Sequence, residues 1–396
     1  MSLRSDAAAG SGFRMQGAGQ LPRTPTPPPP TALGDLRELF QLAFDQHASD
    51  IHLTEDAPPV TRLNGLLQPT PFAPLSRADT KRLIYTLLTD RQKAQFEREL
   101  ELDIAIDVQG LGRFRVNVHM QRGSVEAALR LVPQRIPSFQ ELGLPPVVSE
   151  LARKPNGLVL VTGPTGTGKT TTMAAMVDLI NQERCALIVV IEDPIEYVHR
   201  NRRSIIKQRE VYVDTKSFPT ALVRALRQDP NVIVIGEMRD LETIATALTA
   251  AETGHLVLAT LHTPDAAQTV DRILDVFPPH QQDAIKVQLG DCLQGVISQQ
   301  LLPRKDGTGR VLAYEIMVGT PAVRNLIREH KTPQLLTVLQ TGAAHGMGTM
   351  DGCLKDLYDR QIISYETAVS RAKDLSDFHL QGKPVHGHKR GWGSHR

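Results

Sequence analysis

The stretch LVLVTGPTGTGKTTT (Leu158–Thr172) is an apolar run that breaks into glycines, then a lysine and three threonines. Gly163, Gly168, Lys169 and Thr170 keep the GxxxxGK[ST] spacing, with a strand-like run before them and the helical TTMAAMVDLINQE after them. Glycines let backbone N–H groups curl around phosphate oxygens without a Cβ in the way. Gly163, Pro164, Thr165, Gly166, Thr167 and Gly168 are therefore expected to cradle the phosphates of ATP. Lys169 should reach the β- and γ-phosphates, and the Thr170 hydroxyl should ligate Mg²⁺. The helix that follows turns its positive end toward the anion.

The strand–loop–helix grammar continues outward. Short β-rich runs at 158–162, 187–191, 232–235 and 256–260 alternate with helical segments. That is the pattern of an α/β fold with a parallel sheet covered on both faces. From Pro279 to Leu375 the chain reads as mostly helical. Upstream, VPQRIPSFQELGLPP (Val132–Pro146) is proline-rich, and its residues 135–146 read as a linker. Residues 31–134 form a small α/β domain, with a sheet and helices on one face. Its helix repeats Leu33, Leu36, Leu39, Phe40, Ala43 and Phe44 at threes and fours. Its strands are DIHLT, PVTRLNGLL with an Asn64–Gly65 turn, LDIAIDV, GRFRVNVHM and SVEAALRLV. One helical stretch, SRADTKRLIYTLLTDRQKAQFERE, lies between. Residues 1–30, ending in TPTPPPP, read as a disordered extension, 147–375 as the second domain and 376–396 as a flexible basic tail.

Bulk properties exclude several classes. A chain of 396 residues with 41% apolar and 22% charged residues has room for two cores. Its formal charge is +2, but residues 1–30 carry +2 and residues 376–396 carry +3, which leaves −3 in between. That is no general nucleic-acid binder. The longest apolar runs, such as ALIVVI (Ala186–Ile191), are far shorter than a bilayer span, and no signal-peptide block opens the chain. Cys185, Cys292 and Cys353 are too scattered for a disulfide framework or a zinc site, which fits a cytoplasmic protein.

Carboxylates must accompany the phosphate loop. In NVIVIGEMRD (Asn231–Asp240) the place of a magnesium-holding Asp is taken by Gly236, followed by Glu237. In IVVIEDPIEYVH (Ile188–His199), Glu192, Asp193 and Glu196 follow a buried strand. Ligands of open α/β sheets sit at the carboxyl ends of strands, so both groups should converge on the phosphates. Glu192 is expected to polarise the attacking water and Glu237 to hold Mg²⁺ or its water shell, while Gly236 marks close backbone packing. In TAAETGHLVLATLHTPDA, His255 and His262 flank a strand, and both are candidates for the site; Thr260 is placed to sense the γ-phosphate.

Four blocks, GPTGTGKT, IEDPIEY, RQDPNVIVIGEMRD and AETGHLVLATLHT, resemble the Walker A, Asp box, Walker B and His box of the secretion ATPase superfamily. These are the hexameric motors of type II and type IV secretion and of type IV pili. The likeness runs from about Asp50 to the 370s. Two features resemble the pilus retraction (PilT-type) branch: no tetracysteine insertion is present, and AVRNLIRE (Ala322–Glu329) matches its C-terminal motif. The resemblance implies a PAS-like N-terminal domain, a RecA-like ATPase domain and a homo-hexameric ring. It also implies that Arg115 and Arg130 reach the nucleotide and that Arg227 contacts it, with Val223 where the branch often has a further arginine. The implied function is ATP-driven pilus retraction at the cytoplasmic face of the inner membrane. The implied partner is a membrane platform protein, with an assembly ATPase or a paralogous retraction ATPase as further candidates. Alternatives are a pilus assembly or type II secretion ATPase and, from another class, a RecA-like DNA translocase.

Overall fold

A computed structural model of the protein describes residues 31–375, apart from 64, 133 and 134, together with Phe378. The expected extension over 1–30 and nearly all of the expected tail lie outside the described residues. The described chain folds as two compact units. One holds residues up to 106 and 115–131, the other 107–114 and everything from 132 on.

The first unit begins with α1 (Leu36–Asp45), capped by the Asp35 side chain, and its apolar stripe Leu36, Leu39, Phe40 and Ala43 is buried. Strands β1 (Asp50–Leu53), β2 (Val60–Leu63) and β3 (Leu66–Pro69) follow, then α2 (Arg77–Tyr85) and α3 (Asp90–Glu99). Strands β4 (Glu101–Val108), β5 (Gly112–Gln121) and β6 (Ser124–Leu131) complete a six-stranded sheet in the order β3-β2-β1-β6-β5-β4. The expected turn between β2 and β3 is made at Gly65, with φ +87°; Asn64 lies outside the described residues. Between β5 and β6, Arg122 (φ 47°) and Gly123 (φ 82°) are both left-handed, the geometry that matches strand twist in a two-residue hairpin. The helical stretch expected as one piece is two. Thr89 and Gln92 form a capping box that starts α3 afresh.

The second unit contains α4 (Phe139–Leu142), α5 (Pro146–Ala152), β7 (Gly157–Thr162), α6 (Lys169–Glu183), β8 (Leu187–Glu192), β9 (Ile205–Glu210), α7 (Phe218–Ala225), β10 (Val232–Ile235), α8 (Leu241–Glu252) and β11 (Leu256–Leu261). It continues with α9 (Ala266–Asp275), α10 (Pro279–Cys292), β12 (Leu293–Pro303), β13 (Arg310–Val318), α11 (Pro321–Arg328), α12 (Leu335–Thr341), α13 (Met350–Asp359) and α14 (Tyr365–Val369). Strand order is β13-β12-β7-β11-β10-β8-β9. All neighbours are parallel except β12 and β13. Strands β7, β10 and β11 are buried at every residue, which explains their unbroken apolar runs. Alternate residues feed two cores. Leu158, Leu160, Ile233 and Val257 pack with α7 to α10; Val159, Val161, Val234 and Leu258 pack with α5 and α6.

The segment expected to be mostly helical thus carries the long pair β12 and β13. The reason is a coincidence of spacing. Leu293, Val296, Ile297 and Leu301 recur at threes and fours as in a helix, but β12 is a largely buried inner strand and shows no alternation. The expected linker over 135–146 contains α4, closed by a Ser138–Glu141 capping box. Among the described residues no helix is long and apolar enough to cross a membrane.

Candidate active site

Register places one edge of the second sheet. Thr162 at the end of β7 faces Leu261 at the end of β11, and Ile235 at the end of β10 faces both Ile191 and Ala259. The glycine-rich loop, Glu192, Glu237 and His262 all leave the sheet at this carboxyl edge.

The loop is built for backbone approach. Gly163 has φ +139°, and a Cβ there would overlap the Gln299 carbonyl oxygen. Gly166 and Gly168 are left-handed, with φ +80° and +87°. Lys169 is buried, and its Nζ donates to the carbonyls of Gly163 (2.8 Å) and Pro164 (3.0 Å). Thr167 Oγ1 donates to the Pro164 carbonyl as well (2.8 Å). Burial lowers the Lys169 pKa, and the charges of Glu237 and Glu196 act against that. Thr170 follows on the first turn of α6, with its side chain half-buried, while Pro164, Thr165 and Gly166 are exposed.

Glu237 meets His262, Nε2 to Oε1 2.9 Å, and pairs with Arg239. Burial opposes its ionisation, but Arg239 and His262 outweigh burial and hold its pKa below the usual carboxylate value. Glu192 differs: burial first, then the charge of Glu196, push it up to about 8. Gln208 Nε2 reaches Glu192 Oε2 at 3.4 Å. Asp193 is exposed, and its peptide bond to Pro194 is cis. Gly236 explains itself, because a Cβ there would come within 3.2 Å of the Glu192 Cα and the Ile191 carbonyl. A side chain at this position would have to push β8 away. Thr260 donates its hydroxyl to the Gly236 carbonyl, so this group holds the β10 turn and its proton is already used.

Two expected site residues lie away from this edge. His255 precedes β11 and His262 follows it, and six residues of strand separate them by about 20 Å. The His255 carbonyl accepts from Gly157 N (3.0 Å) at the start of β7, and its ring Nδ1 lies 3.0 Å from the Ala250 carbonyl at the end of α8. It belongs to the opposite edge. Arg227 sits in a turn of 3-10 helix (Leu226–Gln228) just ahead of β10, exposed and at that same amino edge. There Asn231 ties the strand starts together, accepting from Leu187 N on its side chain (2.8 Å) and from Leu256 N on its carbonyl (3.1 Å).

Arg115 and Arg130 lie in the first unit. Arg115 is half-buried on β5; Arg130 is exposed on β6, and its Nε donates to Asp50 (2.8 Å). One arginine escaped the sequence reading. Arg113, in the tip 107–114, pairs through Nη2 with Glu210 Oε2 (2.9 Å) and through Nη1 with Asp107 (3.2 Å). The signal was present in RFR: residues two apart on a strand share a face, so Arg113 and Arg115 are twins by pattern. A cavity of about 910 Å³ adjoins Arg113, lined also by Arg135, Asp178 and Arg202.

In AVRNLIRE, now α11, Val323 and Ile327 are buried and Leu326 half-buried, as the spacing predicts. Arg324 donates to the Gly319 carbonyl (2.8 Å), and Arg328 pairs with Asp291 of α10.

The family model described as Type II/IV secretion system protein matches residues 33–355. The type IV pilus retraction ATPase PilT of Pseudomonas aeruginosa is 48% identical over 344 residues, covering 87% of this chain and 100% of the relative. The twitching motility protein of Neisseria gonorrhoeae is 46% identical over 316 residues, 80% of this chain and 84% of the relative. A crystal structure of the pilus retraction motor PilT with bound ADP is similar at TM-score 0.82 and 49% identity, covering 86% of this chain and 97% of that one.

Proposed function

The chain belongs to the type II/IV secretion system protein family, and from that premise we propose that it is an ATP-hydrolysing ring motor that drives type IV pilus retraction and twitching motility. One observation carries the reading: the phosphate loop, Glu192 and the Glu237–His262 pair leave one edge of one sheet, in a chain 48% identical to a retraction ATPase over its full length.

The roles follow from local chemistry. The left-handed glycines aim backbone N–H groups at phosphate oxygens, and Lys169 exchanges two loop carbonyls for the β- and γ-phosphates. The Thr170 hydroxyl and the ionised Glu237 are hard oxygen donors of the kind Mg²⁺ takes, and they would hold it there. When bound, Mg²⁺ neutralises charge that develops on the phosphoryl oxygens. Glu192, with a pKa of about 8, sits near the working pH, as suits a group that accepts a proton from the attacking water. Asp193 and His262 orient that water and the γ-phosphate, His262 being held by Glu237. Arg115 and Arg130 supply positive charge to a phosphate of their own or a neighbouring subunit; for Arg130 this means exchanging Asp50 for phosphate. Six copies form the ring, which works on a pilus platform protein at the inner membrane.

The test has two parts. Purified protein should hydrolyse ATP as a hexamer, and Glu192→Gln should keep ATP affinity within about threefold while kcat falls about 10²–10⁴-fold. Cells lacking the gene should carry excess pili that do not retract. Bald cells would place the protein among assembly motors instead.

A further inference from the structure

We propose that Arg113 is a positioning residue for ATP hydrolysis: through its ion pair with Glu210 it fixes the turn that carries Glu192 and balances the negative charge around it. The proposal rests on the hydrolytic role given to Glu192 above.

Strand β9 is the grip. In the parallel register of β8 and β9, Glu210 lies directly across from Glu192. The Glu210 side chain is buried, and its Oε2 accepts from Ile195 N (3.2 Å), three residues beyond Glu192. The Glu192 carbonyl accepts from Val211 N (2.9 Å). Two residues earlier on the same face, Gln208 donates to the Tyr197 carbonyl (2.7 Å) and accepts from His199 N (2.8 Å). Residues 192–199 are thus held at both ends by one face of β9. Glu210 is held in turn, because its backbone N–H donates to Asp214 Oδ2 (2.9 Å).

A buried carboxylate needs a partner, and Arg113 is the cation that meets it. The Arg113 side chain is only 19% exposed, and its Nε is buried with no hydrogen-bond partner. Such a placement costs more than a surface charge would, which argues for a role at this spot. Charged groups that act on Glu192 include Glu196 on its own turn, Glu210 from β9 and Arg113 from the 107–114 tip, and Asp193 adjoins it in the chain. On the β10 side Gly236 packs against it and leads to Glu237, with Arg239 and His262; Lys169 faces Glu196 and Glu237 from the phosphate loop. Glu196 and Glu210 make Glu192 harder to ionise, and Arg113 makes it easier. Release of Arg113 would therefore leave Glu192 protonated, with Glu210 still beside it.

A simple brace and an electrostatic positioning device predict different things. If the ion pair only braces the turn, breaking it from either side has one effect. If it sets the charge at Glu192, the two breaks act in opposite directions. The experiment is the pH profile of kcat for the full chain. Arg113→Gln should move the acid limb up by about one pH unit, and Glu210→Gln should move it down by a similar amount. KM for ATP should stay within about twofold in both. Arg113→Lys, which keeps the charge, should restore the wild-type limb and serves where the glutamine variants fold poorly. The same opposed shifts should appear in the pH dependence of thermal unfolding, a readout that needs no turnover. Shifts in the same direction, or no shift with a fallen kcat, would overturn the proposal. If the unmodified protein hydrolyses no ATP while the two variants show the opposed unfolding shifts, the functional reading falls and the ion pair's role stands.

Discussion

At the scale of single residues, glycines carry different weights for the same letter. Gly163 and Gly166 both belong to the glycine-rich loop after β7 and both have positive φ. A methyl group at Gly163 would collide with the Gln299 carbonyl of β12, which cannot swing aside; a methyl at Gly166 would meet nothing within 4 Å. Gly166→Ala should therefore cost only the left-handed strain, about 1–2 kcal/mol, with nucleotide binding weakened less than tenfold. Gly163→Ala should cost about 3 kcal/mol or more and weaken nucleotide binding beyond tenfold. Thermal unfolding and titration with a fluorescent ATP analogue would compare them. The loop stands out in the sequence because spacing and context both point to phosphate. His255 and His262 show the limit. Both flank the same strand, and only the strand's direction within a parallel sheet separates the edge that carries the glycine-rich loop from the far edge. Arg113 and Arg115 defeat pattern for a related reason, since a strand puts both on one face and the choice is made by a carboxylate 97 residues away.

At the scale of elements, the sequence reading succeeds where periodicity is strong and fails where a local signal is overruled. Strands β7, β8, β10 and β11 were legible because strands buried on both faces read as continuous apolar runs between helices. Strand β12 was not, because its apolar residues fall at helical intervals by accident. The division of α2 from α3 was legible in principle, since Thr89 and Gln92 stand at capping-box spacing. The Thr89 Oγ1 accepts from Gln92 N (3.4 Å), and the Gln92 side chain accepts from Thr89 N (2.9 Å). The box starts a helix whose deepest residue is Phe96, packed edge-on against Tyr85 of α2. Thr89→Ala should lower stability by about 1 kcal/mol, and Thr89→Ser should leave it within about 0.5 kcal/mol. Chemical denaturation of the two variants checks this, and equal values for both would show that the cap contributes nothing.

At the scale of the whole molecule, the described chain divides into two compact units, and residues 107–114 go with the second, an assignment no sequence signal marks. A hairpin tip reads as part of its own hairpin until a distant carboxylate claims it. Two half-buried groups with opposite habits then give the stability a pH dependence. Glu192 is raised from 4.5 to about 8, and His199 is lowered from 6.5 to about 4 by burial, against the pull of Asp178. Between pH 4.5 and about 8 the folded chain keeps the Glu192 proton that the unfolded chain has lost, so this group's contribution to stability falls as pH rises through that window. Between about 4 and 6.5 the unfolded chain binds a proton at His199 that the folded chain refuses, so stability from this group falls as pH falls. The two slopes oppose each other below 6.5 and leave Glu192 alone above it. Glu192→Gln should remove the decline between pH 6.5 and 8, a change of about 2 kcal/mol over that window, and leave the nucleotide-free variant more stable than wild type at pH 8. His199→Gln should flatten the acid side and leave the alkaline decline in place. Urea unfolding at pH 5, 6.5 and 8 separates the two. A wild-type curve that stays level from pH 6.5 to 8 would mean that Glu192 is already ionised in the folded protein, and its part in accepting a proton near neutrality would fall with it.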